Sequence, residues 1–117
     1  MQPLAISRFS IVNSLGAGSA AITSALRARR SGLAACDFET VALDTWIGQV
    51  AGLDEFRVRF DLDAYDCRNN RLAQLGMELD GYAGAVNAAR ERYGAGRIGV
   101  FMGTSTSGIL QTELAYR

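Results

Sequence analysis

The only strongly nucleophilic side chains of the sequence are Cys36 and Cys67, and the sequence contains no histidine. A catalytic thiol or hydroxyl is usually activated by a neighbouring base, most often histidine. Neither a Cys-His nor a Ser-His-Asp arrangement is therefore complete within these 117 residues. Two cysteines without C-x-x-C spacing do not make a zinc site either. We predict no catalytic residue and no metal ligand here, and we interpret both cysteines as reduced, mostly buried thiols.

A glycine-rich turn, Gly16-x-Gly18-x-x-Ala21, has the spacing of a dinucleotide-binding fingerprint. It lies between a predicted strand and a predicted helix, and an acid, Asp37 or Glu39, follows about 20 residues on, where such folds hold a ribose hydroxyl. However, Asn13-Ser14-Leu15 separates the strand from the glycines, and no clear second strand leads to the acid. A nucleotide-binding α/β module is therefore an alternative function.

Three acids, Asp61, Asp63 and Asp66, have the close spacing of a calcium-binding loop. The glycine and the closing glutamate of an EF-hand loop are both missing. We interpret these acids as solvated loop residues.

The apolar run at residues 98–102 is bounded by glycines and followed by the small residues 103–108. This pattern is typical of a strand buried on both faces of a parallel sheet. The small residues would then form a turn at the carboxyl edge of the sheet, where open α/β folds bind ligands.

The elements around this strand are predicted from hydrophobic periodicity. Residues 4–12 read as a first strand, followed by a turn and a helix over residues 20–30, with Ser19 as N-cap, Ile22 and Leu26 on one face and Gly32 as the stop. Residues 38–50 read as extended, with a short strand at 46–50. Residues 54–66 alternate with period two, which predicts an extended edge segment. The sequence thus predicts an α/β fold.

The clearest predicted element is a helix over residues 70–93, with apolar residues spaced by three and four. Asn69 or Asn70 would cap its start, and Gly94 would end it. Its internal glycines and alanines would permit close packing against a neighbouring element. A helix followed by a buried strand is half of a right-handed βαβ unit.

Composition excludes several classes of partner. Lys plus Arg equals Asp plus Glu at 12 each, so net charge gives no reason to expect nucleic acid. No apolar run approaches the roughly 18 residues of a membrane span, and the first residues lack a signal-peptide pattern. Hydrophobic content of 49% indicates one modest globular domain, and cytoplasmic is the expected location.

Four motifs occur in a recognisable order: Ile11-Val-Asn-Ser-Leu-Gly16, Gly32 after an arginine-rich helix end, Arg68-Asn-Asn-Arg-Leu-Ala-Gln74, and Arg97-Ile-Gly-Val-Phe-Met-Gly-Thr104. Their order and spacing resemble the N-terminal part of the β-ketoacyl-acyl-carrier-protein synthases, the elongating condensing enzymes. The resemblance implies a thiolase-like fold, of which residues 1–117 would form an incomplete N-terminal half. That half is the βαβαβ portion of a five-stranded mixed sheet with helices on both faces.

Several functional properties follow from the resemblance. The family condenses an acyl thioester with a malonyl thioester carried on acyl carrier protein, as a homodimer and without a cofactor. Its catalytic cysteine and histidines are not in this chain, so the remaining polypeptide would supply them and the chain alone would be inactive. A non-catalytic synthase-like partner subunit is a further alternative. We also expect an isolated fragment to expose a sheet edge and a large apolar face.

Two groups of site residues are implied by the same resemblance. Thr106, flanked by Ser105 and Ser107, takes the position that gates the acyl-chain pocket, and a threonine there would make the channel wider and more polar. Arg68 and Arg71 take positions at which relatives dock the acidic carrier protein, although Asn69-Asn70 replaces the usual Met-Asp pair.

Overall fold

The computed structural model describes residues 3–39, 41–104 and 108–117. This part of the chain is mixed α/β, with four short strands in two separate antiparallel sheets, four α-helices and two 3-10 helices. The predicted α/β content is confirmed at that level. Every strand pairing within the described residues is antiparallel, and each sheet has two strands.

The first sheet is a hairpin of β1 (Val12–Asn13) and β2 (Gly16–Ala17), and it leads directly into helix α1 (Ser19–Arg27). The predicted turn and helix are confirmed, although the helix is shorter than residues 20–30 and the predicted N-cap is wrong. Ser19 is the first helical residue, and Gly18 precedes it without a side-chain capping bond. It ends where Arg29 adopts a left-handed backbone, with φ of 52°. Its buried residues are Ile22 and Ala25, whereas Leu26 is 61% exposed. Leu26 was therefore wrongly predicted to lie on the packed face.

The predicted first strand over residues 4–12 forms only at its last residue. Residues 3–11 have no regular secondary structure, and Leu4 and Ile6 are 97% and 85% exposed. An isolated extended segment is unstable in water without a neighbour for its backbone groups. No neighbouring strand lies beside it among the described residues, so its apolar pattern alone does not fix a strand.

The second sheet pairs β3 (Leu33–Ala35) with β4 (Trp46–Gly48), with Ala34 opposite Ile47. The short strand predicted at residues 46–50 is thus confirmed. Gly32 and Gly48 allow this sheet to approach the first hairpin, because a Cβ at Gly32 would lie 2.6 Å from the Ser14 carbonyl oxygen. The close approach, and not a helix stop, explains the glycine at position 32.

Residues 54–66 do not form the predicted edge strand. Phe60–Tyr65 is a 3-10 helix, in which Phe60 is 95% exposed while the preceding Val58 is buried. The Leu62 amide donates to the Arg59 carbonyl at 2.8 Å, and the Arg59 side chain binds Asp61. Aspartates favour turns because their side chains compete for backbone hydrogen bonds. The local preference for a turn therefore determines the structure here, because no adjacent strand among the described residues pairs with the alternating segment.

The predicted long helix is two helices, α2 (Arg68–Glu78) and α3 (Tyr82–Tyr93). The chain breaks between them because Asp80 and Gly81 both adopt left-handed backbones, with φ of 54° and 70°. The end at Gly94, with φ of 83°, is confirmed. The predicted start caps are wrong, since Cys67 precedes the first helical residue.

Residues 98–102 do not form the predicted buried strand. A 3-10 turn, Ala95–Arg97, leads into a segment without regular structure, where Val100, Phe101 and Met102 are 79%, 95% and 86% exposed. A strand with two apolar faces needs neighbours on both edges and layers on both faces. The described residues supply neither, so the βαβ unit does not form. The last helix, α4, follows at Ile109–Ala115.

The buried apolar core of the described residues is small: Ile22, Ala25, Leu53 and Val58. The solvent-accessible surface is 10015 Å², whereas a compact monomer of 12.5 kDa exposes about 6,200 Å². The radius of gyration of 17.2 Å also exceeds the about 13 Å of a compact domain of this length. No described helix has both the length and the apolar character that a membrane crossing requires.

Candidate functional site

The start of α2 carries the densest polar network of the described residues, and Arg71 is at its centre. Its Nε and Nη2 donate to the two carboxylate oxygens of Asp66 at 2.7 and 2.6 Å. Its Nη1 donates to the Asp54 carbonyl oxygen at 3.0 Å. The Arg71 and Asp66 side chains are only 18% and 17% exposed. Arg71 therefore ties the segment before α2 to the helix.

Electrostatics at this pair favour the charged forms of both groups. Hydrogen bonding from Arg71 lowers the pKa of Asp66 below its usual value, and the attraction of the two charges acts in the same direction. The same hydrogen bond raises the pKa of Arg71. A bidentate arginine–carboxylate pair of this kind is among the stronger polar contacts in proteins.

Arg68 lies one turn earlier and makes a weaker, more solvated contact. Its Nη1 is 2.5 Å from Asp54 Oδ1, with 49% of the Arg68 side chain and 68% of the Asp54 side chain exposed. Exposed ion pairs contribute little, about 0–1 kcal/mol, because water screens them. Of the two arginines predicted to dock a carrier protein, Arg68 is thus the one available to an external partner.

Cys67 is the residue immediately before α2, with an extended backbone and a half-buried side chain. It lines two adjoining cavities of about 330 and 310 Å³ between the start of α2 and the start of α4. Cys36 is also half-buried and unpaired, next to the β3 strand. Both thiols are less deeply buried than the sequence interpretation proposed.

Two of the three closely spaced aspartates, Asp61 and Asp66, are engaged with arginines. Asp61 binds Arg59, which lowers the Asp61 pKa, and Asp66 binds Arg71. Within residues 3–39, 41–104 and 108–117, no three or more His, Cys, Asp or Glu side chains gather where they could hold a metal ion. The structure therefore gives Asp61 and Asp66 ionic partners within the chain.

A carboxylate of the chain itself, that of Asp80, binds at the glycine turn before α1. The Asp80 carboxylate accepts hydrogen bonds from the Ser19 amide, at 3.0 Å to each oxygen, and from Ser19 Oγ at 2.7 Å. These bonds lower the pKa of Asp80, and the bond from the Ser19 hydroxyl has the largest effect. A nucleotide phosphate at this helix start would meet the Asp80 charge. Asp80 thus occupies the position that a dinucleotide fingerprint keeps for phosphate.

The structural role of Asp80 was missed in the sequence. Asp80-Gly81 is a strong turn dipeptide, and it stands inside the apolar periodicity of residues 70–93. That dipeptide could have indicated the break between α2 and α3. Nothing in the sequence indicates its contact with Ser19, which is 61 residues away.

The predicted acyl-pocket residues Ser105, Thr106 and Ser107 lie outside the described residues. The residue that follows them, Gly108, lines both cavities at the start of α2. The structure therefore places Arg68 and the residue after the predicted pocket turn at one cleft.

The chain matches no protein-family model, no curated protein and no solved structure.

Proposed function

We propose that this chain is the N-terminal part of a 3-oxoacyl-acyl-carrier-protein synthase with a thiolase-like fold. The observation that carries the proposal is the order and spacing of the four motifs, from Ile11-Val-Asn-Ser-Leu-Gly16 to Arg97-Ile-Gly-Val-Phe-Met-Gly-Thr104. The mixed α/β content is consistent with it. So is the exposure of residues 98–102, which in such a fold would be covered by further strands and helices.

The role proposed for these residues is scaffolding and recognition, not bond breaking. In the proposed parent enzyme a cysteine thiolate takes the acyl group from its thioester, and decarboxylation of the malonyl thioester yields the carbanion that attacks that acyl group. The sequence has no histidine, and neither of its cysteines stands in the family's nucleophile motif. The groups that perform both steps would belong to other polypeptide, in a homodimer placed in the cytoplasm.

Product analysis tests this proposal. The complete reading frame that contains this chain is expressed and incubated with an acyl carrier protein thioester and malonyl carrier protein, and the carrier-bound product is weighed by mass spectrometry. We expect a 3-oxoacyl product longer by one ketide unit, with release of carbon dioxide. The 117-residue chain alone should give none. A reading frame that gives no product but stimulates an active synthase would support the partner-subunit alternative instead.

Carrier-protein docking is proposed at Arg68. We expect Arg68→Glu to weaken binding of holo-acyl carrier protein about tenfold, because reversal replaces attraction to an acidic surface with repulsion. Calorimetric titration at low salt measures it, since added salt screens such contacts. Arg30→Glu, also exposed, is the matched control and should leave the affinity unchanged. If both variants bound the carrier protein equally weakly, the docking site would not lie at the start of α2.

The nucleotide-binding alternative is not favoured by any contact of the glycine turn. Asp80 supplies the negative charge at the N-terminus of α1. This alternative would be supported if NAD or FAD raised the melting temperature of the chain and Gly18→Val abolished that increase.

A further inference from the structure

We propose that the cleft between the start of α2 and the start of α4 binds an aliphatic carboxylate, with its hydrocarbon chain on the leucines and its head group at Arg68. This inference does not rest on the proposed condensing activity. The cleft combines an apolar interior, a cation at its edge and a reactive reporter, all from described residues.

The apolar end of the cleft has the properties of a small-molecule site. Its volume of about 330 Å³ is at the lower end of the range for ligand pockets. Leu53 in its wall is 3% exposed, whereas Ile109 and Leu110 on the α4 side are 57% and 59% exposed. A hydrocarbon chain would cover that exposed surface, and each buried methylene group favours binding by about 0.8 kcal/mol.

Among the described residues, Arg68 is the only ionised side chain that lines this end of the cleft. Its contact with Asp54 is exposed, so a ligand carboxylate can replace it at little cost. Arg68 also lines a second cavity together with Asp37, Glu39 and Asp54, whose carboxylates would repel an anion there. The charge pattern therefore directs an anionic head group to the cleft side of Arg68.

The adjoining cavity, about 310 Å³, extends the cleft toward polar groups. It shares Cys67, Asn69 and Gln111 with the apolar end. Its one acid, Asp66, is already paired with Arg71. In the part of the chain that the structure describes, no free carboxylate from this side would therefore oppose an anionic ligand.

Cys67 makes the proposal directly measurable, because it lines both cavities while Cys36 lines neither. The 117-residue chain is alkylated with a maleimide in the presence of decanoate below its micelle-forming concentration, and each cysteine is followed by peptide mass spectrometry. At a ligand concentration ten times the dissociation constant, mass action should slow the alkylation of Cys67 about elevenfold. The alkylation rate of Cys36 should stay unchanged. Equal slowing of both thiols, or of neither, would overturn the proposal.

A matched pair on α4 separates this site from general hydrophobic binding. Leu110 lines the cleft and Leu114 does not, yet both are more than half exposed on the same helix. Leu110→Asp should abolish the protection of Cys67, and Leu114→Asp should preserve it, with circular dichroism confirming equal helix content. Loss of protection in both variants, or in neither, would contradict the assignment of the cleft.

The head-group assignment has its own comparison. Decanol should protect Cys67 from alkylation less well than decanoate does. In Arg68→Gln, the protection given by decanoate should fall to the level given by decanol. Equal protection by the two ligands in the unmodified chain would show that Arg68 takes no part. These readouts are independent of product formation, so failure here leaves the condensing activity to its own test.

Discussion

Asp80 joins the break between α2 and α3 to the beginning of α1. Its carboxylate accepts three hydrogen bonds from one residue, Ser19, across 61 positions of sequence. In a chain with so small a core, we expect a polar contact between distant elements to contribute to stability. Asp80 has the properties of a structural residue.

A pH dependence follows from this contact. The hydrogen bonds lower the folded-state pKa of Asp80 below its usual 3.8, so its stabilisation is complete above that value and is lost as the pH falls through the lowered pKa. We expect Asp80→Asn to lower the urea midpoint at neutral pH and to flatten the loss of stability in acid. Helical circular dichroism during urea titrations at several pH values measures both effects. Asp44→Asn, an exposed acid, should change neither.

Arg71 and Arg68 differ in what they support. Arg71→Gln would leave the carboxylate of Asp66 without its bidentate partner, so we expect a lower urea midpoint. Arg71→Lys should restore little of the lost stability, because an ammonium group does not make the bidentate contact of a guanidinium with a carboxylate. Arg68→Gln should stay close to the unmodified chain, since its ion pair is solvated. Equal effects of Arg68→Gln and Arg71→Gln would show that burial of the pair does not matter.

At the scale of elements, the break between α2 and α3 is set by backbone conformation. Gly81 has φ of 70°, which a residue with a Cβ adopts at a cost of about 1–2 kcal/mol. Gly84 is inside α3, and a Cβ there would meet nothing within 4 Å. We therefore expect Gly81→Ala to destabilise the chain by about 1 kcal/mol and Gly84→Ala to stabilise it by about 0.5–1 kcal/mol. Urea titration followed by circular dichroism measures the two changes.

The opposite signs form the internal control of this pair. If residues 70–93 were one continuous helix, both alanines would stabilise it, because both glycines would be helix-interior positions. A stabilising Gly81→Ala would therefore contradict the break.

At the scale of the whole molecule, the chain exposes more surface than a compact monomer, and many large apolar side chains are exposed. The excess over a compact monomer is about 3,800 Å², which is more than one side of most protein–protein interfaces. Residues 98–102 contribute three of the most exposed apolar side chains. The chain by itself should therefore bind the dye ANS strongly and have a scattering radius of gyration nearer 17.2 Å than the about 13 Å of a compact domain. A compact, dye-silent monomer would contradict this expectation.

Two substitutions test how unevenly the molecule is packed. Ile22 is 5% exposed, so Ile22→Ala should destabilise the chain by about 2–5 kcal/mol and reduce its helix content. Phe101 is 95% exposed, so Phe101→Asp should change stability by less than about 0.5 kcal/mol while weakening ANS binding. Circular dichroism and dye fluorescence measure both variants. A large loss of structure in Phe101→Asp would mean that residues 98–102 are packed in solution.

The amino-acid sequence by itself determined those features that depend on local chemistry. The turn before α1, the helix that follows it, the short strand at Trp46–Gly48 and the end of α3 at Gly94 all come from glycine and periodicity signals within a few residues. The missing histidine likewise limits the chemistry of the chain without any coordinates. Arg68 and Arg71 were selected from sequence resemblance alone.

The tertiary structure decided what depends on distant partners. Residues 4–12 and 98–102 have strand-like sequences, yet a strand exists only where a neighbour accepts its hydrogen bonds, and none stands beside most of the first segment or any of the second within the described residues. The contact of Asp80 with Ser19 and the cleft beside Cys67 join segments that are far apart in sequence. Periodicity records which face of a segment is apolar, but only the folded chain determines what covers that face.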